Sequence, residues 1–115
     1  MIYILLIHFL ADFGLQTHEQ ATMKSENIKY LFYHVGVYSI IWLLASFCVF
    51  GDFERSLYFS SITFFAHFIT DFITSRIGKP FWKNNDFHNG FVVVGFDQVL
   101  HYIQLMLTFN YLLHI

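Results

Sequence analysis

Residues 31–50 read LFYHVGVYSIIWLLASFCVF, a stretch without a single Asp, Glu, Lys or Arg. An α-helix rising about 1.5 Å per residue needs roughly 20 apolar residues to cross a hydrocarbon core about 30 Å thick, so this stretch predicts a membrane span. The rest of the chain agrees. Of its 115 residues 57% are hydrophobic, 22% aromatic and only 12% charged, against about 25% charged in a soluble domain. That is too little charge to cover a soluble surface.

Working outward from residues 31–50, residues 91–115 form a second charge-poor run, interrupted only by Asp97. Two shorter apolar segments complete the pattern and predict an all-α, four-transmembrane-helix bundle. The chain then forms one integral membrane domain, 1–115, with helices over about 1–16, 28–50, 56–75 and 91–115. The first segment differs from a signal peptide: no basic residue precedes its apolar part, no small-x-small cleavage site follows, and Asp12 interrupts it. It is read as a permanent helix.

The connecting segments HEQATMKSEN, GDFER and IGKPFWKNNDFHNG hold most of the charge and the only proline, Pro80, and are read as loops. Lys24, Lys29, Arg76, Lys79 and Lys83 lie in or beside the first and third, while the second has only Arg55. By the positive-inside rule, loops 17–27 and 76–90 face the cytoplasm and both termini lie outside. The lone cysteine, Cys48, cannot form an intramolecular disulfide and is read as a packing residue. No Gly-rich phosphate loop, nucleophile elbow or paired-cysteine zinc pattern is present. Nor is there a basic stripe for nucleic acid.

Chemistry must therefore come from polar residues within the spans. His8 and Asp12 lie four apart on helix 1, and His67 and Asp71 repeat that spacing on helix 3. His34 lies on helix 2; Asp97, Gln98 and His101 lie on helix 4. Residues four apart share a helix face. Counted from the cytoplasmic ends at about 1.5 Å per residue, the three carboxylates fall in one layer about 8 Å deep, and His8, His67 and His101 about 6 Å deeper. The order is His then Asp on helices 1 and 3 but Asp then His on helix 4. Reversing the order on a reversed helix restores the layering.

Charged groups at membrane depth cost at least about 2.5–3.5 kcal/mol and so face the bundle interior with partners. One His-x-x-x-Asp pair alone is commonly an interhelical hydrogen bond, and the cluster could also be a proton relay or a structural polar core. Matched depth on four helices favours a metal centre formed by His8, Asp12, His34, His67, Asp71, Asp97 and His101. Imidazole with carboxylate and no thiolate suits one or two divalent transition ions, Zn foremost, with Mn or Fe as alternatives. Asp97 and Asp12 are the candidate catalytic carboxylates, Gln16, Gln98 and Ser75 the candidate supporting groups. Arg76 and Lys79 are candidates for binding a lipid head group. His88 is read as a loop histidine and Trp82 as an interfacial aromatic.

IHFLADFGLQT and AHFITDFITSR match at His, Phe, Asp and Phe with an offset of 59 residues. The match suggests a parallel repeat, although Tyr38 and Trp42 stand where Asp97 and His101 would have equivalents. These motifs, with the lone His34 and DQVLHYIQL, resemble the small bacterial and phage membrane proteins of domain-of-unknown-function family 3307. The resemblance covers nearly the whole chain and places that family's recurring polar positions on His8, Asp12, Gln16, His34, His67, Asp71, Asp97, Gln98 and His101. By pattern alone the chain is also similar to membrane-bound metal-dependent hydrolases. Three functions follow as expectations. The first is a metal-dependent hydrolase acting on a lipid or lipid-linked substrate from the cytoplasmic leaflet. The second is a metal-ion or proton transport component, against which the outer half offers few polar groups beyond Ser39, Ser46 and Ser60. The third is a non-enzymatic phage or host membrane interaction protein. Partners are membrane lipids, a small-molecule or lipid substrate, no nucleic acid, and a second copy of the chain if it forms a homo-oligomer.

Overall fold

The computed structural model describes residues 2–14 and 23–115. Their architecture is all-helical. Helix α1 spans Ile2–Phe9 and continues as a π-helical turn, Leu10–Gly14; α2 spans Ile28–Phe50, α3 Phe53–Lys83 and α4 Phe87–Leu113. Local chemistry sets the ends. Asn27 caps α2 by accepting from the Lys29 amide, and Gly51 ends it at φ 64°, a left-handed conformation that side chains resist. Asp52 directly follows and caps α3 through the Glu54 amide, so the α2–α3 connection is only two residues long.

The third helix departs from expectation. It runs from Phe53 to Lys83 rather than over 56–75, so Arg76, Lys79 and Lys83 stand on a helix and the loop expected at 76–90 shrinks to residues 84–86. Pro80 does not break it because proline sits in the last turn, where a missing N–H costs one bond near a water-exposed end. The Asn84 amide still donates to the Pro80 carbonyl at 3.0 Å. Asn85 takes the positive φ of 59° that turns the chain, and Asp86 caps α4 by accepting from the Asn89 amide. Helix α4 consequently starts at Phe87 and ends at Leu113, not over 91–115.

Of the four, α2 and α4 are long and apolar enough to cross a membrane by length and composition. Helix α3 is long enough but polar on one side: Ser56, Ser60, Thr63, His67, Asp71 and Thr74 recur every three or four residues and all are buried. Its outward face carries Leu57, Ile62, Phe65, Ile69, Ile73 and Ile77, all exposed. This reverses the usual distribution of a soluble protein. The apolar core is small and lies at one end, where Trp42, Phe59 and Phe109 pack with ring centroids 4.2–5.8 Å apart. Most of the remaining buried side chains are polar.

Candidate metal centre

Helical side chains lean toward the N-terminus of their helix. That tilt carries Asp71 back toward His67 on α3, and His101 back toward Asp97 on α4. The carboxylate and imidazole layers therefore meet. His67 Nε2 lies 3.3 Å from Asp71 Oδ2, and His101 Nε2 3.1 Å from Asp97 Oδ2. The π turn of α1 turns both Ala11 and Asp12 inward, and both are buried. His34 enters from α2, with Nε2 2.9 Å from Asp12 Oδ1.

Four donors converge on one point: Asp12 Oδ1, His34 Nε2, His67 Nε2 and Asp71 Oδ2. Their recorded separations are 2.9, 3.2, 3.3, 3.3 and 3.5 Å. A tetrahedral ion with ligands about 2.0–2.1 Å away sets its ligand atoms roughly 3.3–3.4 Å apart. Hydrogen bonding accounts poorly for this packing. His34 Nε2 alone faces Asp12, Asp71 and His67, whereas one ring N–H serves one acceptor at full strength. The donor set thus fits a metal ion.

A second group, Asp12, Asp97 and His101, shares Asp12 with the first. Asp71 also reaches toward it, with Oδ1 3.0 Å from His101 Nε2. His67 is held in orientation by its neighbours, stacked on His101 at 4.1 Å and tilted against Tyr38 at 3.9 Å. Its Nδ1 is buried without a hydrogen-bond partner among the described residues.

The other expected residues are distributed unevenly. His8 belongs to neither donor group. Its Nε2 contacts Gln98 Oε1 at 2.6 Å and its Nδ1 contacts the Tyr38 hydroxyl at 2.6 Å. Because Gln98 Nε2 donates to Asp12 Oδ2 at 3.1 Å and Asp97 Oδ2 at 3.2 Å, the Gln98 carbonyl must face His8. His8 then carries its proton on Nε2 and accepts from Tyr38, a tautomer that orients Gln98 rather than binding an ion. Ser75 bonds neither carboxylate, and its buried hydroxyl has no partner among the described residues. The adjacent Thr74 takes the expected role, donating to Asp97 Oδ1 at 2.5 Å. Gln16 lies outside the described residues. His88 is exposed in the first turn of α4.

A cavity of about 770 Å³ opens beside the cluster. Asp12, Asp97, Gln98 and Thr74 line it near the cluster, Phe13, Val93, Val94 and Trp82 supply apolar surface, and Lys24, Lys79 and Lys83 supply cations. Lys24 Nζ reaches Asp71 Oδ2 at 3.1 Å. Burial works to lower the Lys24 pKa, but the nearby Asp71 and Asp12 carboxylates outweigh it and the net shift is upward. Lys79 pairs with Glu26 at 2.7 Å, and this bond holds the Glu26 carboxyl below its usual range. Arg76, expected to bind a head group, does not line the cavity. It donates to the Phe72 carbonyl at 3.0 Å and lies over the Phe72 ring at 3.7 Å.

The Trp82 wall depends on Gly90. A Cβ there would stand 2.8–2.9 Å from three indole ring atoms. Gly90→Ala is expected to displace Trp82 into the cavity or outward, with a cost of about 1–3 kcal/mol. A shifted tryptophan emission together with a lowered unfolding midpoint would register it, and unchanged values of both would refute the close packing.

Tyr38, Thr74 and Lys24 were not expected at the cluster. Tyr38 is four residues after His34, and Thr74 is seven after His67 and three after Asp71, so both lie on the faces already picked out. No curated protein and no solved structure matches the chain. The family described as "Protein of unknown function (DUF3307)" does match, over residues 1–114, and the chain belongs to that family.

Proposed function

We propose that the chain is a four-span bundle of the bacterial inner membrane with a divalent metal centre, zinc foremost, and that it hydrolyses a lipid or lipid-linked phosphate or ester. The observation that carries this reading is the tetrahedral spacing of Asp12, His34, His67 and Asp71 next to a cavity with both apolar and cationic lining. An apolar exterior around a polar interior supports the membrane setting. Lys24, Lys29, Arg76, Lys79 and Lys83 gather at one end, against Arg55 at the other, which supports a cytoplasmic cavity mouth and external termini.

A bound ion of this type polarises a phosphoryl or carbonyl oxygen and makes water nucleophilic near neutral pH. The protein's own groups divide the remaining work. Asp97 and Asp12 line the cavity and Asp71 does not, so the first two can take a proton from attacking water. Thr74 and Gln98 hold Asp97 in place. Lys79 and Lys83 pair with an anionic head group while Val93, Val94 and Phe13 cover the start of its apolar tail.

Elemental analysis of the detergent-extracted chain tests the centre. Stoichiometric metal, lost in His34→Ala and His67→Ala, is expected; a folded, metal-free wild type would sink the reading. Turnover of phosphate- or ester-bearing lipids that stops on chelation and returns with metal is the functional half of the test.

A second reading, metal-ion or proton transport, draws on the half of the bundle away from the cavity. That half holds more polar groups than expected. Gln104 Nε2 contacts Thr63 and Thr108 hydroxyls at 3.2 and 3.0 Å, and Gln104 Oε1, Ser39 Oγ and Trp42 Nε1 are buried without partners among the described residues. Such groups call for buried water. Ion flux in proteoliposomes without lipid turnover would favour this reading.

A further inference from the structure

Three carboxylates of the cluster, Asp12, Asp71 and Asp97, are 4%, 1% and 7% exposed. Buried charges need compensation close at hand. Metal-binding imidazoles are neutral, so His34 and His67 supply no charge when an ion is held with Asp12 and Asp71. Lys24 supplies one positive charge, with its ammonium 3.1 Å from Asp71 Oδ2 and its side chain lining the same cavity as Asp12 and Asp97. One divalent ion at the four-donor group then brings the formal total to zero. Two divalent ions with Lys24 in place would leave an excess of two positive charges among largely buried groups.

The donors for a second ion are nonetheless present. Asp12, Asp97 and His101 form one group, and Asp71 Oδ1 lies 3.0 Å from His101 Nε2. Asp12 and Asp71 can therefore each offer one oxygen to either side. The arrangement is that of a two-ion centre with an ammonium supplied from the turn at residues 24–26.

We propose that Lys24 is a built-in cation that substitutes for a second metal ion, limiting the chain to one divalent ion while it is in place and opening the Asp12, Asp97 and His101 group to a second when it is removed. The inference rests on the metal-centre reading above. It adds a regulatory element to it: any ligand that draws Lys24 away from Asp71, an anionic head group included, raises the affinity of the second position.

Wild type, Lys24→Met and Lys24→Arg, purified in detergent, are titrated with Co²⁺ and the bound metal is counted after gel filtration. Wild type and Lys24→Arg are expected to bind one ion per chain, Lys24→Met two. Removing a unit charge about 4 Å from a divalent ion strengthens its binding by roughly a hundredfold or more. Adding Asp97→Asn to Lys24→Met is expected to return the count to one, with the tetrahedral Co²⁺ absorption of the first site retained. A second ion that survives Asp97→Asn overturns the assignment of its site. Two ions in wild type, or one in a helical, folded Lys24→Met, overturns the inference and leaves the metal centre standing. No metal in any form overturns both.

Discussion

Asp71→Asn is expected to abolish stoichiometric metal binding and to lower the unfolding free energy by about 3–5 kcal/mol, the range for breaking a buried ion pair by removing one partner. The substitution keeps the size of the side chain and removes its charge. Asp71 is where the cluster is most heavily loaded: its Oδ2 meets His34, His67 and Lys24, and its Oδ1 meets His101. An asparagine can accept with only one of those atoms. Its amide group would face either His101 or the Lys24 ammonium donor to donor. In the wild type, added Zn²⁺ should raise the thermal midpoint, since a ligand at about 100 times its Kd adds about 2.7 kcal/mol. In Asp71→Asn the midpoint should start lower and stay unmoved by zinc. A variant that still responds to zinc like the wild type would remove Asp71 from the centre.

How plainly the sequence marks this site depends on the residue type. Histidine and aspartate are rare at membrane depth, so His67 and Asp71 stand out at once and their spacing gives their common face. The structure brings them together with Asp12 and His34 as that spacing implies. Hydroxyl residues carry no such contrast. Thr74 and Tyr38 occupy the faces marked by Asp71 and His34, but Thr and Tyr are ordinary in apolar helices. Only the distances reveal that one bonds Asp97 and the other His8. Ser75 illustrates the converse: next in sequence to Thr74, it is rotated about 100° around the helix, off the bonding face. Its hydroxyl is unpaired among the described residues.

Helix ends were less legible than helix faces. Gly78, Pro80, Asn84 and Asn85 read together as a loop, yet helix α3 passes through the first two and stops at the last pair. Proline punctuates a helix strongly only where a partner carbonyl is buried. At an end that projects toward water it does not. Lys24 is the opposite problem. Nothing in a lysine beside a predicted cytoplasmic loop indicates that its four-carbon stem folds back to a carboxylate on α3. The same reach turns a topology-setting charge into part of the site.

Gln98→Glu tests the electrostatic design of the cluster from its centre. The change is nearly isosteric, so packing is preserved and charge decides the result. Gln98 now donates through one amide group to Asp12 Oδ2 and Asp97 Oδ2, at 3.1 and 3.2 Å, and so separates two buried carboxylates. A glutamate loses both bonds and adds a like charge beside each partner. Unit charges about 4 Å apart at an effective dielectric near 20 repel by roughly 4 kcal/mol, and there are two such pairs. Against the total stability of a small domain, about 5–15 kcal/mol, the metal-free variant should be largely unfolded at pH 7. Two routes relieve the repulsion, and both can be measured. Lowering the pH protonates the glutamate and should restore helical structure. A divalent ion compensates the added charge directly, so Zn²⁺ or Mn²⁺ should refold Gln98→Glu at pH 7 while Gln98→Leu, which loses the same bonds without gaining charge, stays insensitive to that treatment beyond the wild-type response. If Gln98→Glu stays as stable as wild type in chelator from pH 7 upward, Asp12 and Asp97 are not both ionised beside the glutamate, and the charge balance on which the metal centre rests fails.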